Sequence, residues 1–132
     1  MVEKRCAIDG CVADLEMAQK TLLHISNGSG ASEGQIRKAA IHAKRLELKL
    51  AVAKLGQAEY YLSMLSARVD YLEARCGRDG VAAKSESEEL VWAREALPIN
   101  NATVTRLTNE LETQKRELEE MLKQAEPSNV EL

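Results

Sequence analysis

A chain of 132 residues with 45% apolar and 30% charged side chains has enough aliphatic surface to fold as one domain, and its charge is too balanced for a disordered chain. Its 18 Lys and Arg against 21 Asp and Glu leave a formal net charge of −3, so no global field draws nucleic acid or an anionic lipid surface, and any basic site must be local. Aromatics make up 3%, with no Phe, one Trp and three Tyr; this is too few to fill a thick core, which disfavours a β-sandwich or an α/β enzyme and fits a slim bundle of Leu and Ala helices.

The first residues, MVEKRCAIDG, are charged but lead into no uninterrupted apolar stretch, and no window approaches the roughly 18 apolar residues of a membrane span. A cytoplasmic or nuclear chain without a membrane anchor is expected. Cys6, Cys11 and Cys76 are odd in number and lack a Cys-x-x-Cys pair, so they read as reduced thiols rather than a disulfide framework or a zinc knuckle.

Glycine and proline divide the chain. Asn27-Gly28-Ser29-Gly30 with Gly34, and Gly77 with Gly80, mark two loops; Pro98 and Pro127 are the two prolines. The segments between them are helices over about residues 3–26, 35–76 and 86–125, in a single domain over 1–132 with a polar tail at 127–132. Ile8, Leu15 and Leu22, with Cys11, Ala18 and Ile25, give the first helix a heptad seam. Gly10 lies inside it at a cost of about 1 kcal/mol against Ala.

The second helix opens on Ser32-x-x-Gln35, a capping box, and Gly77 supplies a left-handed cap after Cys76. Its seam is Ile41, Leu48, Leu55, Leu62, Val69 and Cys76, with Ala51, Ala58, Leu65 and Leu72 three residues after four of them. A second apolar stripe, Ala39, Ala43, Leu46, Leu50 and Ala53, runs roughly opposite and fades at Gln57 and Arg68. At 1.5 Å per residue this helix is about 60 Å long, and the first reaches half of that. A short loop therefore folds the first helix back along residues 39–53.

The third helix opens on Ser85-x-x-Glu88. Its seam is Leu90, Leu97, Val104, Leu111 and Leu118 with Ala93, Leu107 and Met121. The heptad phase passes through Pro98, which predicts a kink rather than a break, with Asn100 and Asn101 available to cap a restarted turn. The fold expected is all-α: a three-helix antiparallel coiled-coil bundle of two long helices, the last kinked at a proline, and one shorter N-terminal helix.

No nucleophile elbow, P-loop, His-Glu-x-x-His helix or EF-hand loop occurs, and His24 and His42 have no carboxylate at ligand spacing, so no enzyme, cofactor or metal site is expected. Charge is more informative. Residues 36–55 hold Arg37, Lys38, Lys44, Arg45, Lys49 and Lys54 against Glu47 alone, whereas residues 110–126 hold Glu110, Glu112, Glu117, Glu119, Glu120 and Glu126 against Lys115, Arg116 and Lys123. An antiparallel hairpin brings the two runs to one end. The basic stripe then pairs internally, docks an acidic partner, or does both, since exposed pairs contribute about 0–1 kcal/mol each. Tyr60, Tyr61, Met64 and Trp92 are read as filling wider gaps between helices, with an exposed binding surface as the other reading.

Glu88, Leu90, Arg94, Leu97 and Pro98 resemble the E-x-L-x-x-x-[KR]-x-x-[LI]-P pattern of the tubulin-binding cofactor A family, and Gln35-Ile36-Arg37 with Lys44-Arg45-Leu46 is similar to the family's Gln-Ile-Lys and Lys-Arg-Leu. The resemblance spans about residues 35–125 and implies a helical, non-enzymatic chaperone of the tubulin folding pathway, monomeric or weakly dimeric, that holds β-tubulin through charged helix faces. The chain departs from the family in placing its shorter helix first. Arg37, Lys38, Lys44, Arg45, Lys49 and Lys54 are then the expected partner-binding residues, facing acidic tubulin tails. The competing expectation is a structural coiled-coil subunit of a larger tethering, kinetochore or cytoskeletal assembly.

Overall fold

The structure, a computed structural model, describes residues 2–28, 30, 32–77 and 84–125, the side chains of 2–7 and 125 excepted. Three helices, α1 (Val2–Ser26), α2 (Glu33–Gly77) and α3 (Lys84–Ala125), contain nearly all of them, and no strand occurs among the described residues. None of the three is long and apolar enough to cross a membrane. The expected spans match these helices to within two residues at every end, and helix ends are where fraying makes propensity least decisive. The tail from Pro127, and Gly80, lie outside the described residues.

Ser32 caps α2 as its sequence requires. The Gln35 amide donates to Ser32 Oγ at 3.2 Å, the Ser32 amide donates to Gln35 Oε1 at 2.9 Å, and the Ser32 carbonyl accepts from Ile36 N at 3.0 Å. The two capping bonds satisfy two orphan amides of the first turn, and the third is the first regular helical bond. Gly28 and Gly30, at φ of 100° and 81°, turn the chain ahead of this cap in a region that L side chains avoid. The Ser85 box does not form: α3 already includes Lys84, so Ser85 is a helical residue and not its cap. Gly77 is the last residue of α2.

The chain divides into two compact units, Met1–Lys54 with Asn109–Leu132, and Leu55–Thr108. The second unit packs only α2 against α3. Its core is Leu65, Val69, Leu72, Leu90 and Ala93, with Cys76, Ala96 and Leu97 against it; Leu72 and Ala93 are fully buried. All are seam residues or their immediate neighbours, and Ala93 lets the two backbones approach where Leu72 fills the space.

Ion pairs flank this core. Arg68 grips Glu89 with two bonds, Nε to Oε2 at 2.7 Å and Nη2 to Oε1 at 2.8 Å; Arg75 Nε donates to Glu86 at 2.6 Å, and Arg94 Nε to Glu73 at 3.3 Å. Arg68 and Glu89 each precede a first-position seam residue, Val69 and Leu90, while Glu73 and Arg94 each follow a second-position residue, Leu72 and Ala93. Pairing of like flanking positions is what two seams make when residue numbers rise on one helix and fall on the other. The guanidinium holds the Glu89 carboxyl below the usual carboxylate range through that hydrogen bond, and the Glu89 bond in turn raises Arg68.

Helix α3 is continuous through Pro98. Asn100, expected as a cap for a restart, instead donates its side-chain amide to the Ala96 carbonyl at 2.8 Å, and Thr103, Thr105, Thr108 and Thr113 make the same four-residue back-bond through their hydroxyls. In the first unit, Cys11, Ala18, Ala43, Leu50 and Leu111 are buried. Ala43 and Leu50 belong to the second stripe of α2, and Ala18 of α1 shares a groove with Ala39 and Leu46 of the same stripe. The short first helix is thus seated on the part of α2 whose sequence demands a second neighbour.

Candidate partner-docking surface

The six cations of residues 36–55 do not share one fate. Lys44 stands three residues after Ile41, at a seam position, and its side chain is 13% exposed; Nζ lies 2.9 Å from Glu117 Oε1 on α3 and 3.6 Å from Glu47. It is an internal pair with the acidic end of α3, one of the two outcomes the charge pattern allows. Lys44 is therefore set apart from the docking set expected from sequence.

Arg37, Lys38, Arg45, Lys49 and Lys54 are exposed, and none forms an ion pair with a described residue. Lys38, Arg45 and Lys49 fall at i, i+7 and i+11, which on a helix is one stripe, and His42 fills the i+4 place between them. Arg37 lies about 100° round the helix from Lys38, and Lys54, sixteen residues after Lys38, lies about 160° round, so neither belongs to the stripe. The only carboxylate of the run, Glu47, is turned to Lys44. What results is a helix face of positive charge about 16 Å long, from Lys38 to Lys49, that pairs with no described residue.

Trp92, Tyr60, Tyr61 and Met64 correct the expectation that they fill gaps between helices: Trp92 is 57% exposed and Met64 50%, and Tyr71, Val91 and Ile99 are exposed as well. The physical reason is bundle width. These residues stand off the seams, and the second unit contains two helices where a third would be needed to cover their backs. Arg68 lies over the Tyr71 ring at 5.1 Å, tying one of these aromatics to the ion-pair ladder.

The residues behind the family resemblance have structural work within the chain. Leu90 and Leu97 are seam residues, Arg94 pairs with Glu73, and Gln35 belongs to the cap of α2. Arg45 is exposed on the cationic stripe, and Leu46 lines the groove beside it. Sequence reading overlooked the Arg68–Glu89 and Glu73–Arg94 pairs, although their positions flanking the seam were a readable signal. Cys11 is buried and Cys76 half-buried as packing residues, Cys76 Sγ lying 4.0 Å from Ser87 Oγ; no group of three or more His, Cys, Asp or Glu suited to a metal occurs among the described residues. Compared with models of known protein families, with curated proteins and with solved structures, the chain matches none.

Proposed function

We propose that this protein is a non-enzymatic tubulin-folding cofactor of the cofactor A type, a cytoplasmic, cytoskeleton-associated monomer or weak homodimer that captures β-tubulin by its acidic tail. The observation that carries the reading is the face of Lys38, Arg45 and Lys49, exposed and without an ion-pair partner among the described residues, next to a Lys44 that is already paired with Glu117. The scaffold is an antiparallel coiled-coil bundle, with α3 bent at Pro98. Like-position ion pairs Arg68–Glu89 and Glu73–Arg94 support the antiparallel sense. Cations held on a rigid helix steer an acidic chain and fix its register without covalent chemistry.

The test reverses Lys38, Arg45 and Lys49 to Glu together. All three are exposed and off the seam, so the fold persists, and capture of purified β-tubulin falls by about tenfold or more, since close charge pairs couple by about 1.5 kcal/mol and upward. Reversing Glu112 and Glu119, exposed on α3, is the control and leaves capture unchanged. Equal capture by wild type and the triple variant refutes the proposal.

A second reading, a structural subunit of a larger helical assembly, is favoured by one observation: the outward faces of the second unit carry Tyr60, Met64 and Tyr71 on α2 and Val91, Trp92 and Ile99 on α3, all exposed. Under that reading wild type shows no capture of β-tubulin at micromolar concentration and co-purifies with fixed helical partners.

A further inference from the structure

A groove of about 460 Å³ runs between α1 and α2 in the first unit, lined by Asp14, Met17, Ala18, Thr21, Ala39, His42 and Leu46. Its floor is small and apolar. Ala18 is buried at the helix contact, and Ala39 and Leu46 are half-buried beside it, so the two helices meet through short side chains and leave a hollow above them. On the α1 side Met17 stands up from the wall at 69% exposed, an adaptable thioether with nothing over it.

The α2 side of the groove is the cationic stripe. His42 lines the hollow, and Lys38, Arg45 and Lys49 stand at i−4, i+3 and i+7 from it, along the same rim. Asp14, on the other wall, is the one carboxylate among the lining residues. A trough about two helical turns long with an apolar floor, one edge of it carrying three cations that pair with no described residue, is complementary to a helix that is apolar on one face and carboxylate-rich on the adjoining flank. A purely ionic partner leaves the trough empty, and a purely apolar one leaves the cations unmet.

We propose that this groove seats an amphipathic acidic helix of a partner protein, its apolar residues against Met17, Ala39 and Leu46 and its carboxylates against Lys38, Arg45 and Lys49. The inference rests on the reading that these cations receive an acidic partner, and adds that the recognised segment carries apolar anchors at helical spacing. Burying two or three aliphatic side chains supplies the affinity, while the cations supply orientation and association rate.

Two labelled peptides of about twelve residues test it with the full-length chain: one rich in Glu with Leu at i, i+4 and i+7, and its twin of equal charge with Ser in place of each Leu. Fluorescence anisotropy is expected to show the Leu peptide bound at least tenfold more tightly than its twin. Met17→Ser, which removes the apolar wall at an exposed position without adding charge, and Thr21→Tyr, which fills the trough from another, each weaken the Leu peptide by about tenfold and leave the Ser twin unchanged. Lys38→Glu with Arg45→Glu and Lys49→Glu weakens both peptides. Equal binding of the two peptides, or Leu-peptide binding that ignores both wall variants, overturns the groove while leaving the cation reading in place. Binding of the Leu peptide that ignores the triple reversal overturns the cation reading, and the acidic helix with it.

Discussion

Lys44 shows how one position decides the meaning of a charged run. It occupies a seam place that Ala51, Ala58, Leu65 and Leu72 fill further along α2, and a lysine there must send its ammonium to a carboxylate or leave the bundle. Glu117 receives it, whereas its exposed neighbours Lys38, Arg45 and Lys49 have no such claim. The gap in the heptad at 44 was legible in the sequence; which carboxylate would answer was not, because five glutamates, Glu110, Glu112, Glu117, Glu119 and Glu120, share that part of α3.

The same contrast governs stability. Leu72 is fully exposed to its packing partners and not to water, so Leu72→Ala is expected to cost about 2–5 kcal/mol in urea denaturation, while Trp92→Ala, on an open face, stays within about 0.5 kcal/mol. Gly56 lies inside α2 with nothing within 4 Å of an added Cβ, so Gly56→Ala is expected to stabilise by up to about 1 kcal/mol.

Glu89 gives the ladder its pH dependence. Its carboxyl is held below the ordinary range by the Arg68 hydrogen bond, so the folded state binds that proton less readily than the unfolded chain. The pair's contribution is therefore present above the ordinary carboxylate pKa and fades as pH drops through the folded value. Glu89→Gln is expected to lower the melting temperature at neutral pH, with the gap to wild type closing in acid; a gap that persists at pH 2 contradicts this.

Among the elements, α2 was the most readable and α3 the least. The capping box at Ser32 and Gln35 formed as written, because nothing upstream competes with it once Gly28 and Gly30 have turned the chain. Ser85 and Glu88 carry the same letters but lie within α3, where ordinary helical bonding takes precedence over the cap. Periodicity placed the seams of both long helices correctly and misjudged only what lies off them: the stripe that seemed to fade at Gln57 continues with Tyr60, Met64 and Tyr71, apolar and exposed. Helix α1 answers the stripe at residues 39–53 alone. Removing residues 1–30, which ends just before the Ser32 cap, is expected to uncover Ala43, Leu46 and Leu50, lower the melting temperature and promote self-association by light scattering. A truncated chain as stable and monodisperse as the intact one contradicts the seating of α1.

At the scale of the molecule, helix content and the seams follow from patterns that sequence displays directly, whereas the docking surface depends on which cations remain after the internal pairs are made. Five of the six expected residues, Arg37, Lys38, Arg45, Lys49 and Lys54, stay exposed; the sixth is consumed. No periodicity rule reveals that remainder, because it depends on the subset of glutamates that reaches across. The groove beside those cations was equally hidden, since it arises from the small size of Ala18 and Ala39 where two helices meet.

The most direct measurement is the association rate of wild-type protein with β-tubulin as ionic strength rises from about 0.01 to 0.15 M, over which the screening length falls from about 30 to 8 Å. If Lys38, Arg45 and Lys49 steer the encounter, the rate falls steeply with salt in the wild type, and the chain carrying Glu at all three positions is slow and nearly insensitive to it. A wild-type rate that does not change with salt, or a triple variant with the same slope, contradicts the account.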